Sequence, residues 1–123
     1  MLLLFGLLFF YFLTLPPKTV TLGVSQKNIE VVTIGSGSRG IVKEIYGEEA
    51  VKIAKSFDGV KLTRYKSARN ASGFSFTVSF FYEDGTSEGF IVNTTESFVY
   101  RNYFYKAENY TEEQRRLLSD LFE

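Results

Sequence analysis

The chain has 123 residues, of which 14 are Lys or Arg and 14 are Asp or Glu, so its formal net charge is zero. It contains no Cys and no His, which excludes disulfides, thiolate nucleophiles and zinc–thiolate sites and removes the commonest general base. Nucleic acid is a poor partner, because affinity for phosphate needs a positive excess or a clustered basic face. We therefore expect no nucleic-acid partner, no metal and no cofactor.

The first 15 residues carry no charged side chain, and the run ends at Pro16-Pro17, just before Lys18. A membrane-spanning helix needs roughly 20 apolar residues, whereas 15 residues at ~1.5 Å each reach only about 22 Å. We predict that residues 1–15 form an apolar helix that acts as an uncleaved membrane anchor. Two alternatives stay open, a secretory signal that is cleaved and a helix buried in the protein core.

Residues 16–28 follow this leader and are interpreted as a tether, within which residues 19–22 are candidates for extended structure because β-branched residues favour strands. Residues 29–123 are then predicted to form one globular domain, since their number is typical of a single folding unit.

The first predicted elements of the domain are a hairpin and a helix. Residues 29–34 and 41–46 are rich in β-branched residues and are separated by a Gly-Ser sequence typical of a loop. The helix is predicted over residues 48–57, because apolar residues recur there at the i, i+3, i+4, i+7 spacing of one helix face. These apolar residues are Ala50, Ile53, Ala54 and Phe57.

A run of strands follows the helix. Residues 60–66 are a strand candidate, residues 67–73 are a polar loop, and residues 74–80 alternate strictly between apolar and small polar side chains. Such alternation is typical of an antiparallel strand with one buried and one solvated face. An Asp-Gly pair predicts a hairpin turn at residues 83–86, after which residues 89–92 pair back.

The last predicted elements are a second strand pair and a helix. Residues 97–100 and 103–106 flank a short turn, and residues 93–96 form the turn before them. Thr111 and Gln114 then make the capping-box pattern of a helix start. The helix carries an apolar stripe of Leu117, Leu118, Leu121 and Phe122.

This order of elements predicts an α+β domain. We expect a single antiparallel sheet of about 5–7 strands, with two helices packed on one face and the N-terminal apolar helix in front of it.

Two sequence motifs have both a functional and a non-functional interpretation. Residues 35–40 match G-x-G-x-x-G, which alone suggests a dinucleotide site, but the antiparallel strands that follow are not repeated β-α-β units. We interpret this segment as a hairpin loop. Asn70, Asn93 and Asn109 begin Asn-x-Ser/Thr sequons, which can carry glycans in a secreted eukaryotic protein or arise by chance.

Five residues near the end of the chain are the candidate contact surface, because aromatic rings and Arg are enriched at binding hot spots. They are Tyr100, Arg101, Tyr103, Tyr105 and Lys106. The alternative is that the Tyr rings cap the edge of a small core while their hydroxyls reach water. No catalytic residue and no metal ligand is predicted.

Several stretches occur in a familiar order: a hairpin, the helix start Tyr46-Gly47-Glu48-Glu49, the alternating strand, the turn at residues 83–86, a Tyr-rich strand and a closing Leu-Leu-x-x-Leu-Phe helix. This order, over residues 29–122, resembles small membrane-anchored extracytoplasmic domains of unknown function from Gram-positive bacteria. The resemblance implies a location behind an N-terminal anchor and a non-enzymatic role, and it brings no site residues. Many such proteins carry a lipid-anchoring Cys, which this chain lacks.

We expect a membrane-tethered extracytoplasmic module that binds an envelope protein or another envelope component, with residues 1–15 in the cell membrane. Cleavage of the leader would make the domain a secreted one. One alternative is an envelope hydrolase that uses a pair of carboxylates, from acids such as Glu83, Asp84 or Glu88. The other is a domain that binds a small molecule or a lipid between helix and sheet. The side of the membrane stays open, because Lys18 after the apolar run favours a cytoplasmic domain.

Overall fold

The computed structural model describes residues 15–68 and 75–123. Residues 1–14 of the predicted apolar helix, the sequon at Asn70 and most of the predicted loop 67–73 lie outside these residues. Within the described part of the chain, no helix is both long enough and apolar enough to cross a membrane.

The described residues form one antiparallel sheet of eight strands and two helices. The strands are β1 (Thr19–Thr21), β2 (Ile29–Ser36), β3 (Ile41–Ile45), β4 (Lys61–Ser67), β5 (Phe76–Tyr82), β6 (Ser87–Val92), β7 (Ser97–Tyr100) and β8 (Tyr103–Ala107). The helices are α1 (Gly47–Phe57) and α2 (Glu112–Asp120). The spatial order of the strands is β1-β4-β8-β7-β6-β5-β2-β3. The predicted α+β fold with a single antiparallel sheet is confirmed, with one strand more than the upper limit of the prediction.

The additional strand is β1, which the sequence places inside the tether. Thr19 pairs with Thr63 and Thr21 with Lys61, so β1 extends the sheet beyond β4. Leu22 and Val24, in the next few residues, are buried in the core. Residues 16–28 therefore pack as part of the globular unit, and the folded structure starts earlier in the chain than residue 29.

Helix α1 follows the predicted periodicity. It begins at Gly47, whose φ of +65° turns the chain out of β3 at a conformation that favours glycine. Its buried residues are the four that the spacing predicts, Ala50, Ile53, Ala54 and Phe57. Its first turn contains Glu48 and Glu49, where negative charge is stabilised by the helix dipole.

Helix α2 begins with the predicted capping box. The Gln114 N–H donates to Thr111 Oγ1 over 3.2 Å, and the Thr111 N–H donates to Gln114 Oε1 over 2.7 Å. These two bonds satisfy backbone and side-chain groups that a bare helix start leaves unpaired. Of the predicted apolar stripe, Leu118 and Phe122 are buried, while Leu117 and Leu121 are half-buried.

Both helices cover the same face of the sheet. The Phe57 ring on α1 lies 6.2 Å from the Phe80 ring, and the Phe122 ring after α2 lies 6.0 Å from the Phe76 ring. Phe76 and Phe80 are four residues apart on β5, so their side chains point to one face. The strict alternation in the sequence thus identifies the buried face correctly.

The core is centred on Phe57, which is fully buried. Its ring lies 4.9 Å from the Phe90 ring and 6.2 Å from the Phe98 ring, in edge-to-face arrangements. Tyr110 stacks on it at 5.3 Å. Geometries of this kind are favourable beyond their burial of apolar area. These rings occupy the space between α1 and the sheet in which the small-molecule alternative places a ligand.

The remaining turns agree with their sequence signals. The Tyr82 N–H donates to the Thr86 carbonyl over 2.9 Å, and Gly85 has φ +86° in the predicted Asp-Gly turn. The G-x-G-x-x-G segment lies at the β2–β3 hairpin, where Gly35 pairs with Val42. Gly35 and Ser36 are therefore part of an antiparallel ladder, and residues 37–40 form the hairpin turn.

Candidate functional site

A polar hollow of about 480 Å³, the end hollow, lies at one end of the sheet. Three connections converge there: the turn between β1 and β2, the β5–β6 turn and the β7–β8 turn. Its polar lining includes Gln26, Lys27, Tyr82, Glu88 and Arg101. The end hollow combines both signs of charge with an aromatic wall, which suits recognition of a polar partner.

Arg101 occupies a costly backbone conformation at the edge of the end hollow. Arg101 has φ +47° and Asn102 has φ +67°, the two positive values that a type I′ hairpin turn requires. Asn tolerates this region readily, whereas another non-glycine residue loses about 1–2 kcal/mol there. A strained residue that persists at a surface turn is a candidate for function. The guanidinium carbon lies 5.2 Å from the centre of the Tyr100 ring.

Tyr82 provides the buried polar group of the end hollow. Its hydroxyl donates to the Val24 carbonyl over 2.9 Å and lies 3.5 Å from Glu88 Oε2. Burial, followed by the negative charge of Glu88, raises the pKa of Tyr82 to about 12. The phenol is therefore held neutral, as a hydrogen-bond donor.

The carboxylate of Asp84, in the β5–β6 turn, is engaged in local structure. Asp84 Oδ1 accepts from the Thr86 hydroxyl over 2.5 Å and from its N–H over 2.9 Å. Asp84 Oδ2 lies 3.2 Å from Lys27 Nζ. The Thr86 hydrogen bonds, with help from Lys27, lower the pKa of Asp84 to about 2. A general acid needs a raised pKa, so this environment does not favour Asp84 as the acid of the hydrolase alternative.

The raised pKa of Tyr82 predicts a loss of stability in alkali. An unfolded tyrosine ionises near pH 10, whereas folded Tyr82 keeps its proton to about pH 12. Its contribution is fully present below pH 10 and is lost as pH rises toward 12. We expect the free energy of unfolding, from denaturant titrations at several pH values, to fall over this window.

The Tyr82→Phe variant should show a shallower decline, because phenylalanine has no proton to lose. Tyr65→Phe is the matched control, since Tyr65 is 51% exposed. An equal decline in Tyr82→Phe and the parent chain would contradict the assignment. Tyr105 and Tyr110 also have a raised pKa because of burial, so part of the decline should persist.

The structure separates the five predicted contact residues. Tyr100 and Arg101 share the end hollow, Tyr103 lines a second hollow, and Lys106 lines a third. Tyr105 is fully buried and Tyr100 is 9% exposed, so these rings pack in the core. The exposed groups are the charged Arg101 and Lys106, with Tyr103 half-buried.

Several residues of the end hollow were not predicted. The alternation of apolar and polar side chains in residues 74–80 extends to Tyr82. This spacing of two residues predicts that Tyr82 is buried. Glu88 is a candidate from the sequence only as a carboxylate of the hydrolase alternative. Gln26 and Lys27 offer no signal, because pairing between distant segments brings them to the end hollow. Their neighbours in the sequence carry no motif.

No group of three or more Asp, Glu, Cys or His side chains arranged to hold a metal occurs in residues 15–68 and 75–123. In comparisons with models of known protein families, with curated proteins and with solved structures, nothing matches this chain.

Proposed function

We propose that the chain is a membrane-tethered extracytoplasmic module that binds an envelope protein through the end hollow. The tether is supported by the short stretch of chain between the charge-free leader and the first residue that is hydrogen-bonded to the domain. The leader ends at Leu15, and the carbonyl of Pro16 already accepts a hydrogen bond from Arg64 Nη1 over 2.7 Å. The Tyr105 hydroxyl donates to the next carbonyl, that of Pro17, over 2.5 Å.

These bonds leave almost no free linker between leader and domain. One extended residue spans at most about 3.6 Å, so a leader inserted up to Leu15 would hold the domain against the bilayer. Tethering raises the local concentration of a binding domain, and a modest affinity for a partner in the same envelope can then suffice. Flotation of the full chain with phosphatidylcholine vesicles tests this part of the proposal.

The partner surface is assigned to the end hollow because of Arg101. Arg is enriched among residues that dominate binding energy, and here it is presented at a strained turn beside an aromatic wall. The neutral net charge favours a partner with mixed polarity over a polyanion. The proposal assigns no catalytic step to any residue.

Replacing Arg101 by Ala tests the partner surface. Full-length chain in detergent is used to capture proteins from an envelope extract, and we expect Arg101→Ala to weaken specific capture by about tenfold or more. Arg116→Ala is the matched control, since Arg116 is an exposed residue of α2. Equal loss in both variants, or no specific capture by the parent chain, would contradict the proposal.

A further inference from the structure

A second hollow lies where the leader joins the domain. This junction hollow has a volume of about 320 Å³ and is lined by Leu15, Lys18, Arg64, Tyr65, Lys66 and Tyr103. Three of the six lining residues are basic and none is acidic. The zero net charge of the chain therefore conceals a local positive surface, and this surface surrounds the last residue of the apolar leader.

The aromatic side chains of the junction hollow are paired with its cations. Lys66 Nζ lies 5.5 Å from the centre of the Tyr65 ring and 5.3 Å from that of Phe104. The Arg64 guanidinium carbon lies 5.3 Å from the Tyr103 ring. Tyr65 is 51% exposed although it packs at 6.0 Å against Phe104. Tyrosine beside Lys or Arg is typical of side chains at the membrane–water interface.

The positive charges of the junction hollow are not neutralised by the ion pairs seen in the described residues. Those pairs join Lys27 to Asp84 and Arg115 to Glu112. Lys18 and Lys66 are both exposed, so their ammonium groups are accessible to an anion outside the domain.

From these observations we propose that the junction hollow docks on anionic lipid headgroups of the bilayer that holds the leader. The inference rests on the proposed tether. With the Pro16 and Pro17 carbonyls bound to the domain, the junction hollow lies within a few residues of the inserted leader. Headgroup phosphates attract basic side chains at this depth, and the exposed Tyr65 ring matches the interfacial layer. Docking would fix the rotation of the domain, and with it the direction in which the end hollow faces.

The sequence makes a direct test simple, because it contains no Trp. The full chain with Tyr65→Trp then has a single indole at the junction hollow. Tyr46→Trp is the matched control, since Tyr46 is 58% exposed and follows β3, at the opposite edge of the sheet. Both variants are reconstituted in phosphatidylcholine vesicles with or without phosphatidylglycerol, and acyl-brominated lipid serves as the quencher.

We expect the indole of Tyr65→Trp to be quenched and blue-shifted in vesicles that contain phosphatidylglycerol, and that of Tyr46→Trp to be unaffected. High salt should reverse the quenching, because it screens the lipid charge. Replacing Lys18 and Lys66 by Gln in the Tyr65→Trp chain should lower the ratio of docked to undocked chain about 25-fold, roughly fivefold for each lysine. Replacing the exposed Lys52 and Lys55 of α1 by Gln should leave the ratio unchanged.

The outcomes separate the two proposals. A chain that does not float with phosphatidylcholine vesicles overturns the tether. A chain that floats but shows equal quenching at both positions overturns docking alone. If a delipidated envelope extract shields the Tyr65→Trp indole and vesicles do not quench it, the junction hollow binds a protein. That result would also overturn lipid docking.

Discussion

Lysines placed in the leader are expected to release the chain from membranes. The full-length variant with Phe9→Lys and Phe12→Lys should fail to float with phosphatidylcholine vesicles, whereas the parent chain should float. One lysine at the centre of a membrane segment costs about 2.5–3.5 kcal/mol. Two such residues lower the fraction inserted by roughly a thousandfold or more, which converts an inserted chain into an unbound one.

The matched control adds the same two charges to the domain. Val42 and Val51 are 69% and 39% exposed, so Val42→Lys with Val51→Lys leaves the leader intact and should float like the parent. Release of the control would indicate a general effect of charge. If the leader variant still floats with the vesicles, the proposed tether and the membrane localisation that depends on it are contradicted.

Truncating Phe57 should destabilise the domain more than any surface substitution. Phe57→Ala removes a fully buried ring that contacts the rings of Phe80, Phe90, Phe98 and Tyr110. Buried Phe→Ala substitutions cost about 3–5 kcal/mol, a large share of the roughly 5–15 kcal/mol that stabilises a typical domain. We expect the denaturant midpoint, followed by circular dichroism, to fall accordingly.

Phe81→Ala is the matched substitution on the opposite face of β5. Phe81 is 41% exposed, so its loss should cost about 1 kcal/mol or less. Comparable losses in the two variants would show that the rings around Phe57 do not form the main core, and the account of how α1 packs on the sheet would have to change.

Local signals explain why the helices and hairpins could be predicted. The spacing of Ala50, Ile53, Ala54 and Phe57 falls within three turns of chain, and the capping box of Thr111 and Gln114 within four residues. Hairpins such as β5–β6 and β7–β8 join neighbouring segments, so a short turn sequence suffices to indicate them.

Contacts between distant segments explain what could not be predicted. The β-branched residues of 19–22 indicate extended structure, but β1 is only three residues long and pairs with β4, about 40 residues further along the chain. No local pattern encodes that pairing. The tyrosines of β7 and β8 show the same limit. Tyr103 and Tyr105 are two residues apart and therefore share one face of β8. Only the packed helices decide that this face is the covered one, on which Tyr105 is fully buried.

The position of β1 as an edge strand also constrains the order in which the strands pair during folding. β1 pairs with β4, and β4 pairs with β8. The first strand to be synthesised therefore has no complete pairing partner until the last strand has been made. Pairing across such separations is slow, because a long loop must close before any contact forms. We expect residues 16–28 to stay extended during synthesis, spanning about 45 Å at most, while the rest of the domain folds. Closure of β1 then draws the finished domain toward Leu15 at the end of the leader, so that folding itself shortens the connection between leader and domain.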